Sequence, residues 1–183
     1  MSYKKIKNFG GKKIIIRPLS ESDIKNAKKF QDFINSLAEE DAEINTTEKK
    51  TLKQEREWLK ARTKEVKKLK KFFLLAEYNN MIIGSVEISF EQGRRSHIAE
   101  LGIMVKNGYR GIGLGSFMIN EIIKLSQGEL KFKPKIIRLS VTSTNKNAFK
   151  FYIKNGFKKV AVIPKQFNVK GKLVDEYIML KYL

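Results

Sequence analysis

The chain has no cysteine and only one histidine among its 183 residues. Without cysteine, it has no disulfides, no thiolate metal sites and no acyl-cysteine catalytic intermediate. The single histidine, His97, argues against a zinc site built from imidazoles, so we expect no metal. No apolar run approaches the ~20 residues that span a bilayer, and the N-terminus has no secretory apolar segment. We therefore expect a cytoplasmic protein with no membrane partner.

Positive charge is the strongest bias in the composition. The formal net charge is +19 at pH 7, from 38 Lys and Arg against 19 Asp and Glu. Such a field attracts anions in general and identifies none of them. Most of the excess is lysine, whereas base reading favours the rigid fork of arginine, so nucleic acid is not the expected substrate. The length and the 42% hydrophobic content predict one domain over residues 1–183, with a flexible basic N-terminus over 1–12.

Hydrophobic periodicity predicts a mixed α/β chain. Strands are predicted at Lys13–Arg17, Phe72–Tyr78, Met81–Phe90, Ile98–Val105, Ile136–Thr142, Lys158–Ile163 and Glu176–Tyr182. A first helix is predicted after a Ser20 cap, with apolar positions from Ile24 to Leu37. A second is predicted after a Thr46 or Thr47 cap, with Leu52, Leu59 and Val66 on one stripe. Two more are predicted at Ser116–Gln127 and Asn145–Lys154. The alternation of strands and helices predicts a sheet that contains parallel pairs.

The segment Val105–Ser116 is the most informative part of the chain. It joins a predicted strand to a predicted helix and reads VKNGYRGIGLGS, with three alternating glycines after Arg110. Glycines let the backbone approach a ligand closely, and the first N–H groups of a helix attract anions. The pattern therefore predicts a loop that binds a pyrophosphate group.

Two common phosphate loops do not fit this segment. A P-loop requires a lysine where the chain has Leu114. A dinucleotide fingerprint requires a third glycine where the chain has Ser116, and an acidic residue near the position of Lys131. A turn that only reverses the chain remains open, although such a turn rarely needs three glycines.

Two motifs resemble those of the GCN5-related N-acetyltransferases (GNAT). Arg110–Gly115 is similar to the Arg/Gln-x-x-Gly-x-Gly/Ala loop that binds the pyrophosphate of acetyl-coenzyme A (acetyl-CoA) in that family. Asn145–Phe157 resembles the family's Asn-x-x-Ala-x-x-x-Tyr-x-x-x-Gly-Phe motif, and Gly171–Met179 resembles the ending of its branch that acetylates amino acids, polyamines or protein N-termini. The resemblance implies a mixed sheet of about seven strands flanked by about four helices.

The same resemblance assigns roles to individual residues. It implies that acetyl-CoA is the cosubstrate and that Tyr152 protonates its leaving thiolate. Glu100, inside an apolar strand, is the predicted base, and Glu87 is its substitute. The alternative role for Glu100 is an outward-facing charge paired with a lysine of a neighbouring strand. The predicted coenzyme contacts are Ile103, Met104, Val105, Arg110, Gly111, Ile112, Gly113, Leu114, Gly115, Ser116, Asn145, Ala148, Tyr152 and Lys154.

The acceptor amine is left open by the sequence. The acidic segment Glu39–Glu43 suits a cationic amine, whereas the basic segment Pro164–Gly171 suits an anionic group. Three functions therefore remain: acetylation of a small amine such as an amino acid or polyamine, acetylation of a protein or ribosomal N-terminus or lysine, and RNA or ribosome binding without catalysis. We expect a monomer or a homodimer.

Overall fold

The computed structural model describes residues 3–40, 48–128 and 133–183. The strands in these ranges are β1 (Lys5–Phe9), β2 (Lys12–Pro18), β3 (Lys71–Tyr78), β4 (Met81–Phe90), β5 (Ile98–Val105), β6 (Ile136–Thr142), β7 (Lys158–Val169) and β8 (Lys172–Tyr182). The helices are α1 (Glu21–Lys25), α2 (Ala27–Glu39), α3 (Leu52–Lys67), α4 (Leu114–Gly128) and α5 (Lys146–Lys154). None of these helices has the length and apolar character that a membrane crossing requires.

The strands form one mixed sheet in the order β1-β2-β3-β4-β5-β6-β8-β7. Strands β5 and β6 pair in parallel. Strand β2 pairs antiparallel with β1 and β3, and β8 pairs antiparallel with β6 and β7. This confirms the predicted fold class, with one more strand and one more helix than expected. The backbone contacts divide the chain into two compact units. The first unit holds the described residues up to Ser89 and those of 102–128; the second holds Phe90–Leu101 and 133–183.

The core of the first unit lies where α2 and α3 meet β3. The helix α2 buries one apolar face, formed by Ala27, Phe30, Phe33, Ile34 and Leu37. The Trp58 ring of α3 stacks on Phe30 with 5.0 Å between centroids and meets Phe73 of β3 edge-on at 5.8 Å. The predicted α3 stripe is confirmed, because Leu52, Leu59 and Val66 all belong to this cluster.

One predicted helix is two helices, because the chain breaks at Asn26. The amide side chain of Asn26 donates to the Ser22 carbonyl, and its backbone N–H donates to the same oxygen. Asparagine competes in this way with the regular helical ladder, which ends α1 before α2 begins. The predicted Thr46 or Thr47 cap lies outside the described residues. The helix α3 begins at Leu52, and Thr51 caps it through a hydrogen bond from the Gln54 N–H.

The N-terminal segment corrects a sequence prediction. We expected a flexible basic tail over residues 1–12, whereas Lys5–Phe9 forms β1 and pairs antiparallel with β2. Gly10 and Gly11 close this hairpin with positive φ angles of 55° and 79°. Two-residue turns of this type match the twist of antiparallel strands and favour glycine, so the Gly-Gly pair is the sequence signal for the hairpin.

In the second unit, β8 lies between β6 and β7. The predicted final antiparallel pair is confirmed and is longer than expected, because β7 continues past Pro164 to Val169. The Asp175 carboxylate accepts a hydrogen bond from the Lys165 N–H at 3.0 Å, where the strand register shifts. The side chain of Asp175 therefore fixes the irregular part of β7.

Candidate functional site

The glycine loop leads from the end of β5 at Val105 into α4 at Leu114. Gly111 and Gly113 have φ angles of 77° and 87°, a conformation that side chains rarely adopt. A Cβ atom added at either position would meet no described atom within 4 Å. The first helical bond of α4 runs from the Phe117 N–H to the Gly113 carbonyl, so the preceding amides are left for an anion.

Arg110 is held at the base of this loop. Its Nε donates to the Val105 carbonyl at 2.7 Å, and its Nη2 donates to the Glu40 carboxylate at 2.6 Å. Glu40 follows α2, and its other oxygen accepts the Asn107 N–H at 3.0 Å. Sequence reasoning missed Glu40 as a loop contact because 70 positions separate it from Arg110.

The β1–β2 hairpin packs against the same loop. A Cβ atom at Gly10 would lie 3.1 Å from Cγ2 of Ile112. The Phe9 ring meets the Phe117 ring edge-on at 5.4 Å, and Lys7 Nζ lies 4.6 Å from the Phe117 centroid. The N-terminal segment, expected to be flexible, therefore supports the predicted pyrophosphate loop.

The last residues of β5 are the predicted contacts of the pantetheine arm. The parallel ladder with β6 pairs Ile98, Ala99 and Glu100 and ends there, before Ile103, Met104 and Val105. On the β4 side, Gly84 allows a close approach, because a Cβ atom there would lie 3.2 Å from the Met104 carbonyl oxygen. These three residues and the loop up to Ser116 lie in the first unit.

The other predicted site residues lie in the second unit. The Asn145 side chain accepts the Ala148 N–H at 3.0 Å and thereby caps α5. The predicted coenzyme contact Asn145 thus has a structural task as the cap of α5. Ala148 lies in the first turn of α5, and Lys154 is exposed in its last turn. Lys181 of β8, which the sequence did not single out, donates to the Asn155 carbonyl at 2.9 Å and satisfies the C-terminal end of α5.

Tyr152 lies on α5 with its ring between two phenylalanines. The ring centroids of Phe151 and Phe157 are 5.4 and 5.8 Å away. Burial raises the pKa of Tyr152 to about 12. The phenol therefore keeps its proton at neutral pH, which is the state that a proton donor requires.

Glu100 makes the ion pair predicted as its alternative role, and its carboxyl is partly buried. Burial raises the pKa of its carboxyl, and the positive charge of Arg138 opposes that shift. The Glu100 Oε1 atom lies 3.0 Å from Nε of Arg138, which faces it on β6. The predicted ion pair with a neighbouring strand is present, with an arginine in place of the expected lysine.

Glu87, the alternative base, lies on β4 in the first unit. Its carboxylate is 3.2 Å from Nζ of Lys71, and its Cγ lies 3.4 Å from where a Cβ atom of Gly102 would be. Glu87 therefore lies beside β5 at Gly102, which directly precedes the predicted pantetheine contacts Ile103, Met104 and Val105.

The acidic segment Glu39–Glu43 is only partly described. Glu39 pairs with Lys49 at 2.8 Å, and 41–43 lie outside the described residues.

A family model of the acetyltransferase (GNAT) family matches residues 31–157. The chain belongs to the GNAT acetyltransferase family. Among curated proteins, this GNAT chain is 31% identical over 109 residues to the L-amino acid N-acetyltransferase AaaT of Escherichia coli K12, covering 59% of the chain and 66% of that protein. It is 26% identical to N-alpha-acetyltransferase 60 of Xenopus tropicalis, covering 62% of the chain and 54% of that protein. The chain thus spans less than two thirds of the length of either relative.

Solved structures repeat the GNAT fold over nearly the whole chain. A GNAT acetyltransferase from Streptococcus pneumoniae superposes with a TM-score of 0.74 at 26% identity, covering 93% of this chain and 99% of that one. The microcin C7 self-immunity acetyltransferase MccE, solved with acetyl-CoA and AMP, superposes with a TM-score of 0.76 at 17% identity, covering 93% and 92%. At that identity the second likeness concerns the fold alone.

Proposed function

We propose that this GNAT protein transfers an acetyl group from acetyl-CoA to the primary amine of a small molecule, an amino acid or a polyamine. The observation that carries the proposal is the loop between β5 and α4, where left-handed Gly111 and Gly113 precede a helix N-terminus beside Arg110. Family membership supports the choice of cosubstrate. The similarity to AaaT supports the choice of an amino acid as acceptor.

The residues of the loop fit the diphosphate of acetyl-CoA. The backbone N–H groups of Gly111 to Ser116, including those of Ile112 and Leu114, bind the diphosphate oxygens. The Arg110 guanidinium adds a positive charge beside them. Polar backbone groups of Ile103, Met104 and Val105 bind the pantetheine arm. On α5, Nδ2 of Asn145, the backbone at Ala148 and the Lys154 ammonium are the remaining proposed contacts.

When bound, acetyl-CoA supplies an activated acetyl thioester. Glu100 accepts a proton from the acceptor ammonium, directly or through water, which leaves a neutral amine as nucleophile. The backbone N–H of Met104 or Val105 stabilises the carbonyl oxygen while the amine attacks. The C–S bond breaks as the Tyr152 hydroxyl gives its proton to the departing sulfur, and the second proton that the nitrogen loses on becoming an amide restores the tyrosine. Because the chain has no cysteine, transfer is direct rather than through an acyl-cysteine enzyme.

A protein N-terminus or lysine is the second candidate acceptor. The similarity to N-alpha-acetyltransferase 60 favours it, at lower identity than the similarity to AaaT. A panel assay that follows thiol release with amino acids, polyamines and N-terminal peptides separates the two. We expect the highest turnover with a small amine; turnover with peptides alone favours the second candidate.

Calorimetric titration with acetyl-CoA and the variant Tyr152→Phe test the catalytic core of the proposal. We expect binding by the wild type, unchanged affinity in the variant, and turnover lower by about 10²- to 10⁴-fold, the range for a lost general acid. Tyr182→Phe is the matched control because Tyr182 is 66% exposed at the end of β8. Absence of acetyl-CoA binding overturns the proposed function, and full turnover in Tyr152→Phe removes Tyr152 from it.

A further inference from the structure

Glu40 makes an unusual contact for a residue near an anion-binding loop. Its carboxylate reaches across 70 positions of sequence to Arg110 and also accepts the Asn107 N–H. The Glu40 side chain is 19% exposed, whereas its neighbour Glu39 is 60% exposed and pairs with Lys49. Two adjacent glutamates thus differ sharply: one lies on the surface, and the other is committed to the loop.

The contacts of Glu40 organise the first half of the loop. The Asn107 N–H donates to Glu40, and the Asn107 side-chain oxygen in turn accepts the Gly108 N–H at 2.9 Å. The Arg110 guanidinium is held along one edge, where Nε donates to the Val105 carbonyl and Nη2 donates to Glu40. Within the described residues, the Nη1 group of Arg110 has no hydrogen-bonding partner. A planar guanidinium fixed along one edge presents its remaining N–H groups in one direction.

We propose that Glu40 is a positioning residue for the coenzyme: it holds Arg110 and the start of the loop in the arrangement that binds the diphosphate. This inference rests on the proposed function. The carboxylate repels a diphosphate, but the preorganised guanidinium and amides bind without first losing conformational freedom, and such preorganisation raises affinity. Since Glu40 is the C-terminal cap of α2, its bonds tie the coenzyme loop to the end of that helix.

The variant Glu40→Gln tests the proposal with little change of shape. The amide oxygen can still accept the Asn107 N–H, while the charged bond to Arg110 is lost. We expect the Kd for acetyl-CoA, measured by calorimetry, to rise about tenfold, the effect of one charge-assisted hydrogen bond. KM for acetyl-CoA should rise in parallel while kcat stays unchanged, because Glu40 touches no reacting atom in the proposed mechanism. Glu39→Gln is the matched control and should bind as the wild type does.

A double-mutant cycle with Arg110→Ala decides whether the effect passes through Arg110. If Glu40 acts by positioning Arg110, Glu40→Gln has no further effect on Kd once Arg110 is removed. A Kd for Glu40→Gln within about twofold of the wild type, or tighter binding, overturns the proposal. An equal loss in the Arg110→Ala background also overturns it. If the wild type does not bind acetyl-CoA, the proposed function fails together with this proposal. If the wild type binds and Glu40→Gln binds equally well, only the positioning role of Glu40 fails.

Discussion

Replacing Gly10 with alanine tests whether the N-terminal hairpin supports the coenzyme loop. Gly10 and Gly11 occupy the same turn, and both have positive φ angles. They differ in their surroundings: a Cβ atom at Gly10 would lie 3.1 Å from Ile112, and one at Gly11 would meet nothing within 4 Å. Gly11→Ala therefore reproduces the backbone strain of Gly10→Ala without the contact on the loop.

The two variants should share a loss of stability and differ in ligand binding. Placing alanine in the left-handed region costs about 1 kcal/mol at either position. At Gly10 the added methyl group must also push Ile112 away by a few tenths of an ångström, which displaces the adjoining loop amides. If this displacement halves one amide–phosphate bond worth about 1.5–3 kcal/mol, affinity for acetyl-CoA falls by about 4- to 13-fold.

Urea unfolding and calorimetry with acetyl-CoA measure the two effects separately. We expect similar unfolding midpoints for Gly10→Ala and Gly11→Ala, both below the wild type, and weaker acetyl-CoA binding for Gly10→Ala only. Equal Kd values for the two alanine variants would refute the reasoning, since the contact with Ile112 would then have no influence on the loop.

Two further predictions concern ionisable groups. Burial alone would raise the pKa of the Asp23 carboxyl, but hydrogen bonds from Arg17 lower it. The ionised carboxylate therefore stabilises the fold fully above the unfolded-state pKa of ~3.9. This stabilisation is lost as the pH falls through the lower pKa of the folded state. In urea unfolding, Asp23→Asn should lower the free energy of unfolding by about 3 kcal/mol at pH 7 and by progressively less below pH ~4. The control Asp32→Asn, at an exposed residue, should lower it by under ~0.5 kcal/mol. A difference between the two variants that does not change with pH contradicts this prediction. Glu100→Gln should remove the acidic limb of the pH–rate profile, and Glu87→Gln should keep it. The reverse result would make Glu87 the base.

Local patterns predicted those elements whose signal lies within one segment. The strands Ile98–Val105 and Ile136–Thr142 have the predicted bounds because each is rich in apolar residues and is closed by polar turns. Asn145 was predicted at the start of α5 and is its cap. The glycine loop was recognisable because three glycines at alternate positions have few other uses between a strand and a helix.

Long-range pairing decided what the sequence could not predict. The strand β1 has four exposed residues of five, so it shows no alternating pattern, and only its turn with β2 marks it. Periodicity from Ile24 to Leu37 hid the break at Asn26, because one side-chain hydrogen bond ended the helix without disturbing the apolar spacing. The pairing of Glu40 with Arg110 leaves no trace in sequence spacing, since 70 positions separate the two residues.

The two titratable groups proposed for catalysis differ in whether a charge lies beside them. Both are partly buried, and burial disfavours the charged form of each. For Tyr152 nothing opposes that effect, so its pKa rises to about 12 and it is available as a proton donor. For Glu100 burial is the larger influence and its pKa is raised, while the Arg138 guanidinium at 3.0 Å opposes part of that rise. Because Arg138 opposes the rise in the Glu100 pKa, Arg138→Gln should raise that pKa further. The acidic limb of the pH–rate profile should then move to higher pH if Glu100 is the base, and should stay in place if Glu87 is.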